Sequence, residues 1–69
     1  MDQHEHREVI RRLFTVASMR LEAAMVSAGN GQAADLTADQ AKHHSSVIML
    51  TAQELTAIGD AIDLLADRC

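Results

Sequence analysis

The fold is decided by a short segment at residues 29–40, which reads GNGQAADLTADQ. Glycine and asparagine readily adopt the left-handed backbone conformation that closes a helix C-terminus, so Gly29-Asn30-Gly31 predicts the end of one helix. Thr37 and Gln40 have the spacing of a capping box, in which each side chain satisfies a free backbone N–H of a new helix. The segment therefore predicts a turn at about residues 29–36 between two helices.

Before the turn, apolar residues recur at alternating steps of four and three, the spacing of one face of a helix. No glycine or proline interrupts the chain between Gln3 and Ala28. We therefore expect a first helix over about residues 3–28, with its apolar stripe at Ile10, Phe14, Ala17, Leu21, Ala24 and Ala28.

After the turn, the same spacing continues almost to the end of the chain, which predicts a second helix over about residues 38–67. Its stripe consists of Ala41, His44, Ile48, Thr51, Leu55, Ile58, Ile62 and Leu65.

Residues 50–55 allow a second interpretation. Thr51 and Glu54 have capping-box spacing, and Leu50 and Leu55 have the spacing of a hydrophobic staple, so a third helix could begin at Ala52. The unbroken stripe and the lack of glycine or proline in this part of the chain favour a continuous helix instead. A kink at Thr51 is the intermediate case.

Composition restricts the fold class. The 69 residues are 48% apolar, yet Phe14 is the only aromatic and there is no proline. The aliphatic residues and alanine that replace aromatics favour helices. We expect one domain at residues 1–69, all-α, folded as an antiparallel hairpin. The single cysteine, Cys69, excludes an internal disulfide.

The charges also favour an antiparallel arrangement. Arginines cluster near the start of the first helix and aspartates near the end of the second, and a hairpin brings these two ends together. We expect the arginines to pair with the aspartates. The basic residues are Arg7, Arg11 and Arg12, and the acidic residues are Asp60, Asp63 and Asp67.

Two helices alone leave much of each apolar stripe uncovered, which predicts a partner chain. We expect a homodimer in which two hairpins form a four-helix bundle, with docking on a larger protein as the alternative. The arrangement resembles the two-helix protomer of a Rop-type bundle, and because no residue motif carries the likeness it implies no function. The expected interface residues are Ile10, Phe14, Leu21, Val47, Ile48, Leu50, Leu55, Ile58, Ile62 and Leu65.

No motif predicts catalysis, a metal site or a cofactor. His43 and His44 are adjacent, so on a helix they point about 100° apart and cannot share one metal ion. His44 falls on the apolar stripe, where a partly buried, hydrogen-bonded histidine is expected. His4 and Glu8, four residues apart, are weak metal candidates because two ligands are too few for a specific site.

The function predicted from sequence is therefore a small, non-catalytic interaction or regulatory module that acts as a homodimer. The alternative is an RNA-binding regulator that uses Arg7, Arg11, Arg12 and Arg20, although a formal charge of −4 is the wrong sign for gripping phosphates. No apolar run reaches the ~18 residues of a membrane span. We expect a cytoplasmic protein with no cofactor.

Overall fold

The structure, a computed structural model, describes residues 3–68, so Met1, Asp2 and Cys69 lie outside the described part. It contains two packed helices, α1 at Gln3–Asn30 and α2 at Ala38–Ala66. No strand occurs within residues 3–68. The helices run antiparallel and form a rod that measures 53 × 15 × 11 Å. The predicted all-α hairpin is confirmed.

The turn differs from the prediction in its backbone conformation. Helix α1 continues to Asn30, and no residue in the described range 3–68 has a positive φ. The chain leaves the helix through right-handed turns instead: Gln32 N–H donates to the Gly29 carbonyl at 3.1 Å, and Ala33 N–H donates to the Asn30 carbonyl at 3.3 Å. The expected left-handed closure at Gly29-Asn30-Gly31 is therefore wrong, because bonds of the tighter i→i+3 type satisfy the last carbonyls of α1.

The start of α2 follows the prediction closely. Thr37 has an extended backbone conformation, and its hydroxyl accepts a hydrogen bond from Gln40 N–H at 3.1 Å. The Gln40 side chain in turn accepts a bond from Thr37 N–H at 2.9 Å. Both halves of the capping box are present, so two otherwise free donors of the first turn are satisfied.

Helix α2 runs through Thr51 without a break, so the alternative of a third helix beginning at Ala52 is wrong. The Thr51 hydroxyl donates to the Val47 carbonyl at 2.8 Å, a bond directed back into the same helix. Glu54, the other half of the alternative capping box, pairs with Arg20 of α1. Neither side chain is therefore available to cap a new helix.

The contact between α1 and α2 is unusually polar. No apolar residue is buried in the described part of the chain, whereas three polar residues are. These are His6, Ser27 and Thr51, with 8%, 8% and 7% of their surface exposed. A folded domain normally buries aliphatic side chains and leaves polar ones outside. The hairpin alone therefore does not enclose a hydrophobic core.

The ion pairs correct a further expectation. Arg11 and Arg12 both lie near Glu8 of their own helix, at 3.6 Å and 3.4 Å, and not against the aspartates of α2. Arg20 and Glu54 form an ion pair that joins the two helices, at 2.9 Å. Glu8 is one helical turn from Arg11 and Arg12, so it reaches them without bridging two helices.

Candidate interaction surface

The two helices meet along rows of residues spaced seven apart, which we call the seam. On α1 one row contains His6, Leu13, Arg20 and Ser27, and on α2 the central row contains His44, Thr51, Ile58 and Leu65. A seven-residue repeat keeps the same side of two coiled helices in contact along their length. Every residue of these rows except Arg20 is buried or half-buried.

The hydrogen bond between Ser27 and His44 anchors the seam near the turn. Ser27 Oγ lies 3.2 Å from His44 Nδ1, and this bond joins the last turn of α1 to the second turn of α2. His44 is half-buried, as its place on the apolar stripe predicts, whereas His43 is exposed. The bond fixes the register of the two helices at this end.

The Arg20–Glu54 pair identifies one side of the seam. Glu54 belongs to a row of α2 that also contains Val47 and Ala61, and this row flanks the central row on one side. We call this side the ion-pair face. Helical periodicity puts the row of Ile48, Leu55 and Ile62 on the other side of the central row. The two sides of the hairpin therefore differ in chemistry.

The side opposite Arg20–Glu54 carries a continuous set of apolar residues, and we call it the apolar face. On α1 the face includes the row of Phe14 and Leu21, which lies outside the seam. On α2 it includes the row of Ile48 and, further outward, a row of small residues that includes Ala52. Its members are Phe14, Leu21, Met25, Ile48, Ala52, Leu55, Gly59 and Ile62.

Side chains on the apolar face are widely accessible to solvent. Phe14 is 56% exposed, Leu21 50%, Met25 72% and Ile48 43%. The α2 rows that contribute to this face have no charged residue between Ala38 and Arg68. On α1 the row of Phe14 and Leu21 has Arg7 and the row of Met25 has Arg11, both in the first third of the helix. A large, uncharged and exposed surface of this kind is typical of an interface.

An open cleft lies at the turn end of this face. Its volume is about 380 Å³, and its walls are mainly apolar, with the Ser27 and His44 side chains among its lining. Ala28 and Ile48 also line it, which shows that the outer rows of the two helices share one side of the hairpin. The remaining lining residues are Gly31, Gln32, Leu36, Ala41, Ser45 and Met49.

No known protein family, curated protein or solved structure matches this chain. Within residues 3–68, neither helix is long and apolar enough to cross a membrane.

The ten residues expected at an interface divide into two groups. Four are exposed, namely Phe14, Leu21, Ile48 and Leu50. Leu50 differs from the other three because helical periodicity places it on the side of the ion-pair face. The other six are half-buried: Ile10, Val47, Leu55, Ile58, Ile62 and Leu65.

The metal candidates do not form a ligand cluster. His4 is exposed, and the two Glu8 carboxylate oxygens lie near Arg11 and Arg12. The rings of His43 and His44 have centroids 5.3 Å apart and meet edge to face. Among residues 3–68, no three histidine, cysteine or acidic side chains lie together as a metal site would require.

The arginine candidates for RNA binding are largely engaged with carboxylates. Arg11 and Arg12 share Glu8, and Arg20 pairs with Glu54. The Arg11 and Arg12 side chains remain 81% and 77% exposed, so water also reaches them. These acidic neighbours reduce the positive potential that a phosphate backbone would meet.

Sequence reasoning did not identify Ser27, Met25 and Ala52 as parts of the site. Ser27 had a usable signal, since it lies seven residues after Arg20 and fourteen after Leu13, on a row that the seven-residue repeat defines. Met25 lies four residues after Leu21, at the outer edge of the predicted stripe. Ala52 is small, and its role depends on which side of α2 faces outward in the folded hairpin.

Proposed function

We propose that this protein is a small, non-catalytic interaction module that works as a homodimer, two hairpins forming a four-helix bundle. The observation that carries the proposal is the distribution of apolar surface. Ten large apolar side chains are exposed in the described residues, and none is buried. Burial of apolar surface is the main force that stabilises folded proteins, so a second chain would supply what the hairpin lacks.

The total surface of the hairpin supports the same proposal. Its accessible area is 5250 Å², whereas a compact chain of its 7.5 kDa mass exposes about 4,200 Å². The excess of about 1,000 Å² is similar to the ~800 Å² that each partner buries in a stable interface of standard size. The radius of gyration, 15.9 Å, likewise exceeds the ~11 Å expected for a compact domain of this length.

The surroundings of Ser27 and His44 support the non-catalytic part of the proposal. A serine nucleophile needs a base held by a third group and N–H donors for the developing oxyanion. Ser27 lies in the last turn of α1, where carbonyl groups and not N–H groups are left over. No carboxylate within residues 3–68 is bonded to His44. Their hydrogen bond serves to join the helices.

Sedimentation equilibrium over a range of micromolar concentrations tests the proposal. We expect a mass of twice the 7.5 kDa chain, and a thermal unfolding midpoint that rises with protein concentration. A fully helical chain that stays monomeric throughout this range would overturn the homodimer.

RNA binding is the competing function, and the same preparation can test it. Retention of RNA that falls with salt and is lost in Arg11→Ala and Arg12→Ala variants would favour an RNA-binding regulator. We expect no retention, since Glu8 lies against both arginines.

A further inference from the structure

The two sides of the hairpin are not equivalent as docking surfaces. The ion-pair face includes Arg20 and Glu54, whose side chains are 52% and 33% exposed. Covering that pair would remove charged groups from water, which costs free energy unless new partners replace the lost solvent. Covering the centre of the apolar face would not remove a charged pair from water, so this free-energy cost does not arise there.

We propose that the apolar face is the surface on which a second copy of this chain docks. The inference rests on the proposed homodimer and specifies which side of the hairpin forms the interface. The two apolar faces would lie against each other across a two-fold axis, so that each side chain of the face meets the same surface on the partner. The ion-pair faces of both copies remain in contact with solvent.

The area of the hairpin argues for a second copy as the occupant. The excess surface of about 1,000 Å² corresponds to what one partner contributes to a dimer of standard size. The apolar face contains residues from both long helices, between Phe14 and Met25 and between Ile48 and Ile62. A second copy of the hairpin, which presents the same two segments side by side, can cover both of them at once.

The shape of the face fits close helix packing. Ala52 and Gly59 lie on the same outer row of α2, seven residues apart, and both are exposed. A Cβ atom added at Gly59 would meet no atom of α1 within 4 Å. Glycine in a helix interior is less favourable than alanine because it loses more backbone entropy, so this position weakens α2 without serving the contact with α1. Because Ala52 has a small side chain and Gly59 has none, a neighbouring helix can approach this row closely.

The cleft belongs to the same interface. It opens on the side of the apolar face, and Ile48 contributes to both. A second copy laid over the face would cover the cleft and fill part of its volume of about 380 Å³ with apolar side chains. Ser27 and His44, which line the cleft, are hydrogen-bonded to each other within one chain. Covering the cleft therefore leaves neither group without a partner.

A matched pair of alanine variants tests the inference. Ala52 lies on the apolar face and Ala57 on the side of Glu54, and both are exposed residues in the interior of α2. In Ala52→Glu, symmetry brings two new negative charges into the interface, so we expect the dimer dissociation constant to rise about 100-fold or more. In Ala57→Glu, we expect a change of less than about threefold, as for other exposed rim charges.

Chemical footprinting provides a second measurement that does not depend on a disruptive variant. In a Cys69→Ser background, the cysteine introduced by Ala52→Cys should react slowly with a maleimide in the dimer and faster on dilution. The cysteine introduced by Ala57→Cys should react quickly at every concentration. Equal rates at both positions would overturn the apolar face as the interface.

These experiments separate the two proposals. A chain that is monomeric in every variant contradicts the homodimer itself. A dimer that survives Ala52→Glu but dissociates in Ala57→Glu supports the homodimer and contradicts the apolar face, because the ion-pair side would then form the contact.

Discussion

Ser27 of α1 and His44 of α2 are joined by a hydrogen bond of 3.2 Å between Oγ and Nδ1. Ser27 is one of three buried residues among those described, and it sits where an aliphatic side chain would be expected. The bond therefore replaces apolar packing at the turn end of the seam, and the stability of the hairpin there depends on a polar pair.

Ser27→Ala should lower the free energy of unfolding by about 1 kcal/mol, because it leaves His44 Nδ1 without its partner in a half-buried position. Denaturant unfolding at fixed protein concentration measures the effect. Ser46→Ala is the control, since Ser46 is exposed in the interior of α2 and the better helix propensity of alanine should leave its stability unchanged or slightly higher. Equal stability of the two variants would contradict a structural role for the bond.

Thr37→Ala should destabilise the protein by about 1 kcal/mol, because it removes the hydroxyl that accepts the Gln40 N–H bond in the capping box. Thermal or denaturant unfolding gives the difference. Thr56→Ala is a matched control: the Thr56 hydroxyl donates to the Ala52 carbonyl within the helix, so its removal should cost little. A Thr37→Ala variant as stable as Thr56→Ala would show that the cap contributes nothing.

Local patterns in the sequence were sufficient to predict the helices and the cap. Thr37 and Gln40 act through a bond pattern confined to four residues, so their roles could be read directly from the sequence. The phase of the apolar stripe through Thr51 likewise indicates one continuous helix, which the structure contains.

Longer-range features could not be predicted in the same way. The stripe indicates which residues share a side of a helix, but not whether that side meets the other helix or the solvent. Phe14 and Leu21 belong to the predicted stripe and are exposed, while His6 and Ser27 are buried in the seam. This division depends on how α1 is rotated against α2, which neither helix encodes by itself.

The glycines of the turn show a related limit. Glycine adopts both left-handed and right-handed conformations at little cost, so its presence after a helix indicates a turn without determining the backbone path. At Gly29 the chain stays right-handed and helical.

Gly29→Ala should therefore stabilise the protein by roughly 0.5–1 kcal/mol, because alanine loses less backbone entropy in a helix. A Cβ atom at this position would meet nothing within 4 Å. Denaturant unfolding of the variant provides the measurement. A loss of stability would contradict the right-handed conformation, since a left-handed glycine cannot be replaced by alanine without strain.

Arg20 and Glu54 should show a coupling free energy of about 0.5–1 kcal/mol in a double-mutant cycle of Arg20→Ala and Glu54→Ala. The side chains are partly exposed, so added salt should screen the interaction, and the coupling should approach zero in about 1 M salt. Arg12 and Glu8 form a control pair within α1, for which we expect a smaller value because the Arg12 side chain is 77% exposed. Coupling that does not respond to salt would contradict this account of the ion pair.

Thr51→Val should keep or raise the stability of the protein, whereas Thr51→Ser should lower it. Thr51 is 7% exposed on the seam, and its hydroxyl donates to the Val47 carbonyl, which lies one turn back in the same helix. Valine keeps the shape and adds apolar contact, so we expect an unfolding free energy equal to that of the native chain or higher by up to about 1 kcal/mol. Serine keeps the hydroxyl and loses the methyl group, which should cost about 1 kcal/mol through lost packing. Helix propensities differ little among these three residues, so the comparison reports on the seam itself. If the valine variant were the less stable of the two, the hydroxyl would be the important part of Thr51, and the seam would depend on its polar groups more than on its methyl groups.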